Sequence, residues 1–196
     1  MFIRTLVATS IYSCHNVPFF AINTYLPSVL SNIFDKNSMI NGIFYNIVLT
    51  IGSVASVISI TFLKRRSLVL YSLFLQSLFL LISSFSFMIS PYATLISLSL
   101  FALVLSGSSG VDFVYIPELF PTTLRGTGIG FTICLSRIIT SFCTFLFPYI
   151  IQKFGINVSL SFIAVLVFLG YILCLFYAPE TQPADVSGKS AQPRAG

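Results

Sequence analysis

Apolar runs separated by short polar breaks set the rhythm of this chain. Six of the runs reach the ~20 residues that a helix rising about 1.5 Å per residue needs to cross ~30 Å of hydrocarbon. They cover about Thr5–Leu30, Met39–Leu63, Leu68–Met88, Ala93–Tyr115, Gly126–Tyr149 and Val158–Tyr177. The breaks carry turn and charge chemistry: Ser31–Ser38 holds Asp35 and Lys36, Lys64–Arg66 is a basic triplet, and Ser90-Pro91-Tyr92 is a tight interruption. After Pro179 the chain turns to Gln, Pro, Ser, Ala and Gly. The pattern predicts an all-α membrane protein, with a six-helix transmembrane bundle over residues 1–178 and a disordered cytoplasmic tail over 179–196.

Composition supports a bilayer solvent. Hydrophobic residues make up 56% of the chain, charged residues 8%, and the mean hydropathy is +0.98, against roughly 25% charged residues in an ordinary soluble domain. The net charge of +5 is not a nucleic-acid signal, because the basic residues sit at segment ends and not in an aromatic-interleaved soluble patch. Cys14, Cys134, Cys143 and Cys174 all fall inside apolar runs without metal or redox spacing, so they read as packing residues and no metal or cofactor is expected. The run after Arg4 is too long and too interrupted by polar residues for a secretory signal; the chain is expected to start directly in a helix, with Met1 an internal or displaced start.

An even number of spans puts both termini on one side. Arg4, Lys64, Arg65, Arg66, Arg125, Lys189 and Arg194 then share a face, against Lys36 and Lys153 on the other. That bias assigns the termini to the cytoplasm of an inner (cell) membrane protein.

Two ionisable residues lie inside the spans: Asp112, in Ser-Ser-Gly-Val-Asp-Phe-Val-Tyr, and Arg137, in Cys-Leu-Ser-Arg-Ile-Ile. Each costs at least about 2.5–3.5 kcal/mol in hydrocarbon, so each is expected to face a partner or a water-filled cavity. Helix rise places Asp112 about 9 Å from Glu118 and Arg137 about 18 Å from Arg125, and side chains leaning toward their helix N-termini narrow that gap. An Asp112–Arg137 pair is therefore expected. It reads either as a fixed structural ion pair or as a proton-coupling or substrate site. His15 and Asn16 sit mid-span near Pro18, with Asn23 further along, and Gln76 is a lone polar residue in the third span. Each is a candidate for the substrate or proton pathway, beside the plainer reading of a hydrogen-bonded core group. Ser106/Gly110 and Gly126/Gly130 form small-x-x-x-small faces suited to close helix packing.

Between the fourth and fifth spans the chain reads Tyr115-Ile-Pro-Glu-Leu-Phe-Pro-Thr-Thr-Leu-Arg-Gly-Thr-Gly-Ile-Gly130. This string resembles the cytoplasmic loop between helices ten and eleven of the sugar and metabolite porters in the major facilitator superfamily. The segment Pro18-Phe-Phe-Ala-Ile-Asn-Thr-Tyr-Leu-Pro-Ser28 resembles their seventh helix, and Ala178-Pro-Glu-Thr181 their element after the last helix. The resemblance implies that the six spans are helices 7–12, the carboxyl-terminal half of a secondary transporter. It further implies that Glu118, Arg125 and Glu180 join inter-helix salt bridges closing a cytoplasmic gate. The family's Asp-Arg-x-Gly-Arg-Arg element is reduced here to the pair Arg65 and Arg66, and Gln182-Pro183 stands where Lys-Gly is usual. Such porters are built from three-helix repeats, but no alignable self-similarity is visible, so the repeat rests on analogy alone.

The resulting expectation is a proton-coupled porter of a sugar, organic acid or similar small metabolite, working by alternating access and completed by an amino-terminal six-helix half or by a second copy. The rival expectation is an orphan or truncated half that only assembles with other membrane proteins. An enzyme is not expected: His15 is the sole histidine, no nucleophile shares an edge with it, and no phosphate-cradling glycine loop is present.

Overall fold

A computed structural model describes residues 2–33, 38–62, 65–87 and 89–177, and among these residues there is helix and turn but no strand. The helices are α1 (Phe2–Ile33), α2 (Ser38–Phe62), α3 (Arg65–Ser86), α4 (Pro91–Glu118) and α5 (Arg125–Tyr177), with a 3₁₀ turn over Thr122–Leu124. Asp35, Lys36, Lys64, Glu180 and the tail expected over 179–196 lie outside the described residues.

Among the described residues, four stretches are long and apolar enough to cross a membrane: Gly42–Ile60, Arg65–Ser86, Tyr92–Glu118 and Thr122–Tyr177. Two departures from the expected six have physical causes. The first is α1, whose length suffices but whose apolarity is diluted by Ser13, His15, Asn16 and Asn23 at its centre. Helix α1 continues through Pro18; a membrane helix tolerates the lost backbone hydrogen bond when neighbours pack around it. The second is α5, in which two helices meet at a kink at a single non-helical residue, Gly155, at φ 86 and ψ 169, so the expected fifth and sixth spans count as one continuous apolar stretch. Only glycine adopts that conformation without strain, so α5 has two limbs, 125–154 and 156–177, meeting inside the predicted break.

The helices pair in a definite pattern. Helix α1 packs on α5, meeting the first limb through Tyr25 and Phe147 and the second where Cys14 lies against Gly170. Helix α4 packs on α2 and α3, and α3 packs on the second limb, where the Ser84 hydroxyl donates to the Asn157 carbonyl at 2.8 Å. Exchanging α1 with α4, α2 with the first limb and α3 with the second leaves these partners unchanged. The two three-helix units that are invisible in the sequence are thus legible in the packing.

The expected small-residue faces behave differently. A side chain at Gly52 or Gly110 would collide with the facing helix, and the Gly110 N–H donates to Ser56 Oγ at 3.0 Å, so α2 and α4 touch nearly backbone to backbone. Nothing lies within 4 Å of a side chain built at Gly126 or Gly130, so the expected close contact there is absent. The first limb of α5 presents that side outward.

Candidate functional site

A half-open cavity of about 320 Å³ lies between α1, α4 and α5. Helix α1 contributes Tyr12, His15, Asn16, Phe19 and Phe20 at helical spacing, α4 contributes Ser106, Ser109 and Asp112 at i, i+3, i+6, and α5 contributes Arg137. Of the six pathway candidates, His15, Asn16, Asp112 and Arg137 therefore share one wall.

The expected Asp112–Arg137 ion pair does not form. Asp112 Oδ1 lies 3.0 Å from His15 Nδ1, with both side chains buried. Arg137 instead extends over the Phe20 ring, 5.2 Å from its centroid, a cation–π contact. Packing supplies the reason: α4 and α5 barely touch, whereas α1 reaches both and brings its own titratable ring to Asp112. Helix rise gives depth along an axis, but which helix intervenes between two others is not a property of depth.

Gln76 is fully buried and belongs to the same network. Its Nε2 donates to Ser108 Oγ at 3.2 Å, and Ser108 Oγ lies 3.2 Å from His15 Nε2, so the chain Gln76–Ser108–His15–Asp112 links three helices. Ser108 was passed over in sequence, where it reads as one more small residue of a packing stretch. Its position four residues before Asp112, on the same helix face, was the available signal. Asn16 and Asn23 turn their amides back on α1, donating to the carbonyls of Tyr12 (2.7 Å) and Phe19 (2.9 Å). Asn16 still lines the cavity; Asn23 does not.

Ser108 admits two proton arrangements. With its hydroxyl donated to His15 Nε2, the imidazole is neutral and gives Nδ1–H to the carboxylate. With its hydroxyl donated to the carbonyl of Val104 (2.9 Å) or Leu105 (3.1 Å), Ser108 accepts Nε2–H from an imidazolium. The two states differ by one proton, gained at His15 Nε2, and by a rotation of the Ser108 hydroxyl, with no movement of heavy atoms.

At one end of the bundle Arg65, which opens α3, pairs with Glu118, which closes α4, and Arg66 donates to the Leu175 carbonyl of α5 at 3.3 Å. The expected gate residues Arg65, Arg66 and Glu118 are thus gathered. Arg125 is exposed at the start of α5, and Glu180 lies outside the described residues.

A family model described as sugar (and other) transporter matches residues 1–187. The chain belongs to that family. That family is the sugar and metabolite porter branch of the major facilitator superfamily, as the motifs led one to expect, and the apolar helices agree with an integral membrane protein. Among its relatives, the inner membrane metabolite transport protein YgcS of Escherichia coli strain K12 is 26% identical over 179 residues, covering 91% of this chain and 40% of that protein. The inner membrane metabolite transport protein YdjE of the same organism is 24% identical over 191 residues, covering 93% of this chain and 41% of that protein. The chain spans about 40% of the length of these curated relatives.

Proposed function

We propose that this family member is the carboxyl-terminal, six-helix lobe of a secondary transporter that moves a small metabolite together with a proton, and that the His15–Asp112 pair holds the proton. The observation carrying this reading is a buried, hydrogen-bonded acid–base pair in the wall of a cavity between apolar helices. Ionisable groups placed there are costly and belong to ion or proton pathways more often than to scaffolds. The Ser108 rotor adds a physical means of accepting a proton without repacking. Six spans follow if α1 crosses despite its polar centre and the two limbs of α5 cross separately around Gly155.

Alternating access needs a second lobe, since substrate binds between halves in this architecture. Large apolar side chains exposed along α2 (Ile43, Ile47, Ile51, Val54) and the first limb of α5 (Phe131, Leu135, Phe142) leave ample surface for lipid and for such a lobe, an amino-terminal half or a second copy. The alternative is a half that assembles with other membrane proteins through these exposed faces but does not transport.

Cells expressing the chain, alone and with a candidate amino-terminal half, test both. Uptake of labelled hexoses and monocarboxylates should collapse with a protonophore and fall about tenfold or more in Asp112→Asn, the loss corresponding to one charge-assisted hydrogen bond. Protonophore-insensitive uptake, or wild-type uptake by Asp112→Asn, removes the proton role. No uptake in either configuration establishes the non-transporting alternative.

A further inference from the structure

The cavity's charges and donors point to more than a generic metabolite. Inside the apolar helices the described chain has two permanently ionisable groups, Asp112 and Arg137, and His15. Asp112 is matched by His15, so its charge is already committed. Arg137 has no carboxylate: its contact among the described residues is the face of Phe20. It stands exposed about 18 Å along its helix from Arg125, a depth at which a guanidinium cannot rest in hydrocarbon. Its head borders not only the first cavity but a second, of about 370 Å³, lined by hydroxyls of Thr140, Ser141 and Thr144.

The remaining donors around the first cavity are largely engaged. Ser106 Oγ donates to the Leu49 carbonyl (2.6 Å), Ser109 Oγ to the Ser106 carbonyl (2.8 Å), and Asn16 to Tyr12. A sugar is held by many free donors and acceptors, and this wall offers few. What it does offer is one planar, five-donor cation beside the aromatic faces of Tyr12, Phe19, Phe20 and Phe113.

The geometry points to a monoanionic carboxylate with a flat apolar body as the ligand, its carboxylate on the Arg137 fork and its body against the rings. A phosphate dianion would need a second cation, and the Asp112 side of the cavity repels surplus negative charge. This inference deepens the transport reading and rests on it for any movement across the membrane, but binding alone tests it. Proton and carboxylate would then cross as a neutral sum, the proton on the His15–Asp112 pair and the anion on Arg137.

The test uses the full chain in lipid nanodiscs, with benzoate as probe and benzamide as its neutral isostere. Unfolding is followed by a thiol-reactive dye that reads the buried Cys14 and Cys174. Benzoate should raise Tm saturably, benzamide should not, and the effect should vanish in Arg137→Gln. Arg137→Lys, which keeps the charge and loses the fork, should weaken benzoate about tenfold and serves if the glutamine variant does not fold. No shift with benzoate, an equal shift with benzamide, or undiminished binding by both variants overturns the inference. Benzoate binding through Arg137 by a chain that transports nothing would sink the transport reading instead; uptake of neutral sugars unaffected by benzoate would sink only this one.

Discussion

Ser108 ties together the groups that matter most, and its removal is the sharpest residue-scale prediction. Ser108→Ala leaves Gln76 Nε2 and His15 Nε2 without their buried partner, at a cost of about 1–3 kcal/mol, and should lower the Tm of the detergent-solubilised protein. An unchanged Tm would mean that water or another group takes over, and the rotor model would fail. Glu118 gives a contrasting case. Its bond to Arg65 is partly solvated, so Glu118→Gln should change stability by less than about 1 kcal/mol while altering uptake kinetics. A large loss of Tm with normal kinetics would make the pair a staple and not a gate. The chemistry of these residues was legible in sequence as charges and amides in apolar runs. Their partners were not, because a hydrogen bond 97 residues long in sequence depends on which helix lies between two others.

At the scale of elements, two small-residue pairs with the same spacing, Ser106/Gly110 and Gly126/Gly130, part company. Gly110→Ala should drive a methyl group into Ser56 and Ile60 and destabilise the α2–α4 contact by about 1–3 kcal/mol. Gly130→Ala meets open space and should be neutral, or stabilising by up to about 1 kcal/mol through helix propensity. Thermal unfolding of the two variants side by side decides; equal effects would mean that the helices are packed otherwise. Gly155→Ala should cost about 1–3 kcal/mol by straining the one backbone position outside the helical region of α5. Hydropathy places the helices within a few residues, since α2 was expected at Met39–Leu63 and is found at Ser38–Phe62. It could not say which residue turns the chain between the fifth and sixth runs, because a kink at one glycine leaves the apolar profile unchanged; the structure puts it at Gly155.

The described residues form two interlocked three-helix units, with two adjoining cavities that share Arg137 and one end fastened by Arg65, Glu118 and Arg66. If the basic bias sets topology, that end is cytoplasmic. A cysteine at Ser67 should then resist a membrane-impermeant maleimide added to intact cells, and one at Lys153 should react. The reverse pattern would invert the bundle and with it the direction in which the Arg65–Glu118 clasp acts.

From residue order alone follow the solvent, the lengths of the helices, the family and the list of groups too costly to bury idly, for these depend on composition and local spacing. Tertiary structure alone decided that Asp112 meets His15, that Arg137 is left for something else, and that Gly110 touches a neighbour while Gly130 does not. Hydrophobic burial is nondirectional, so an apolar run says that a helix will be covered without saying by what. Hydrogen bonds and charges are directional, and only when the helices have chosen their neighbours does each polar group acquire its partner.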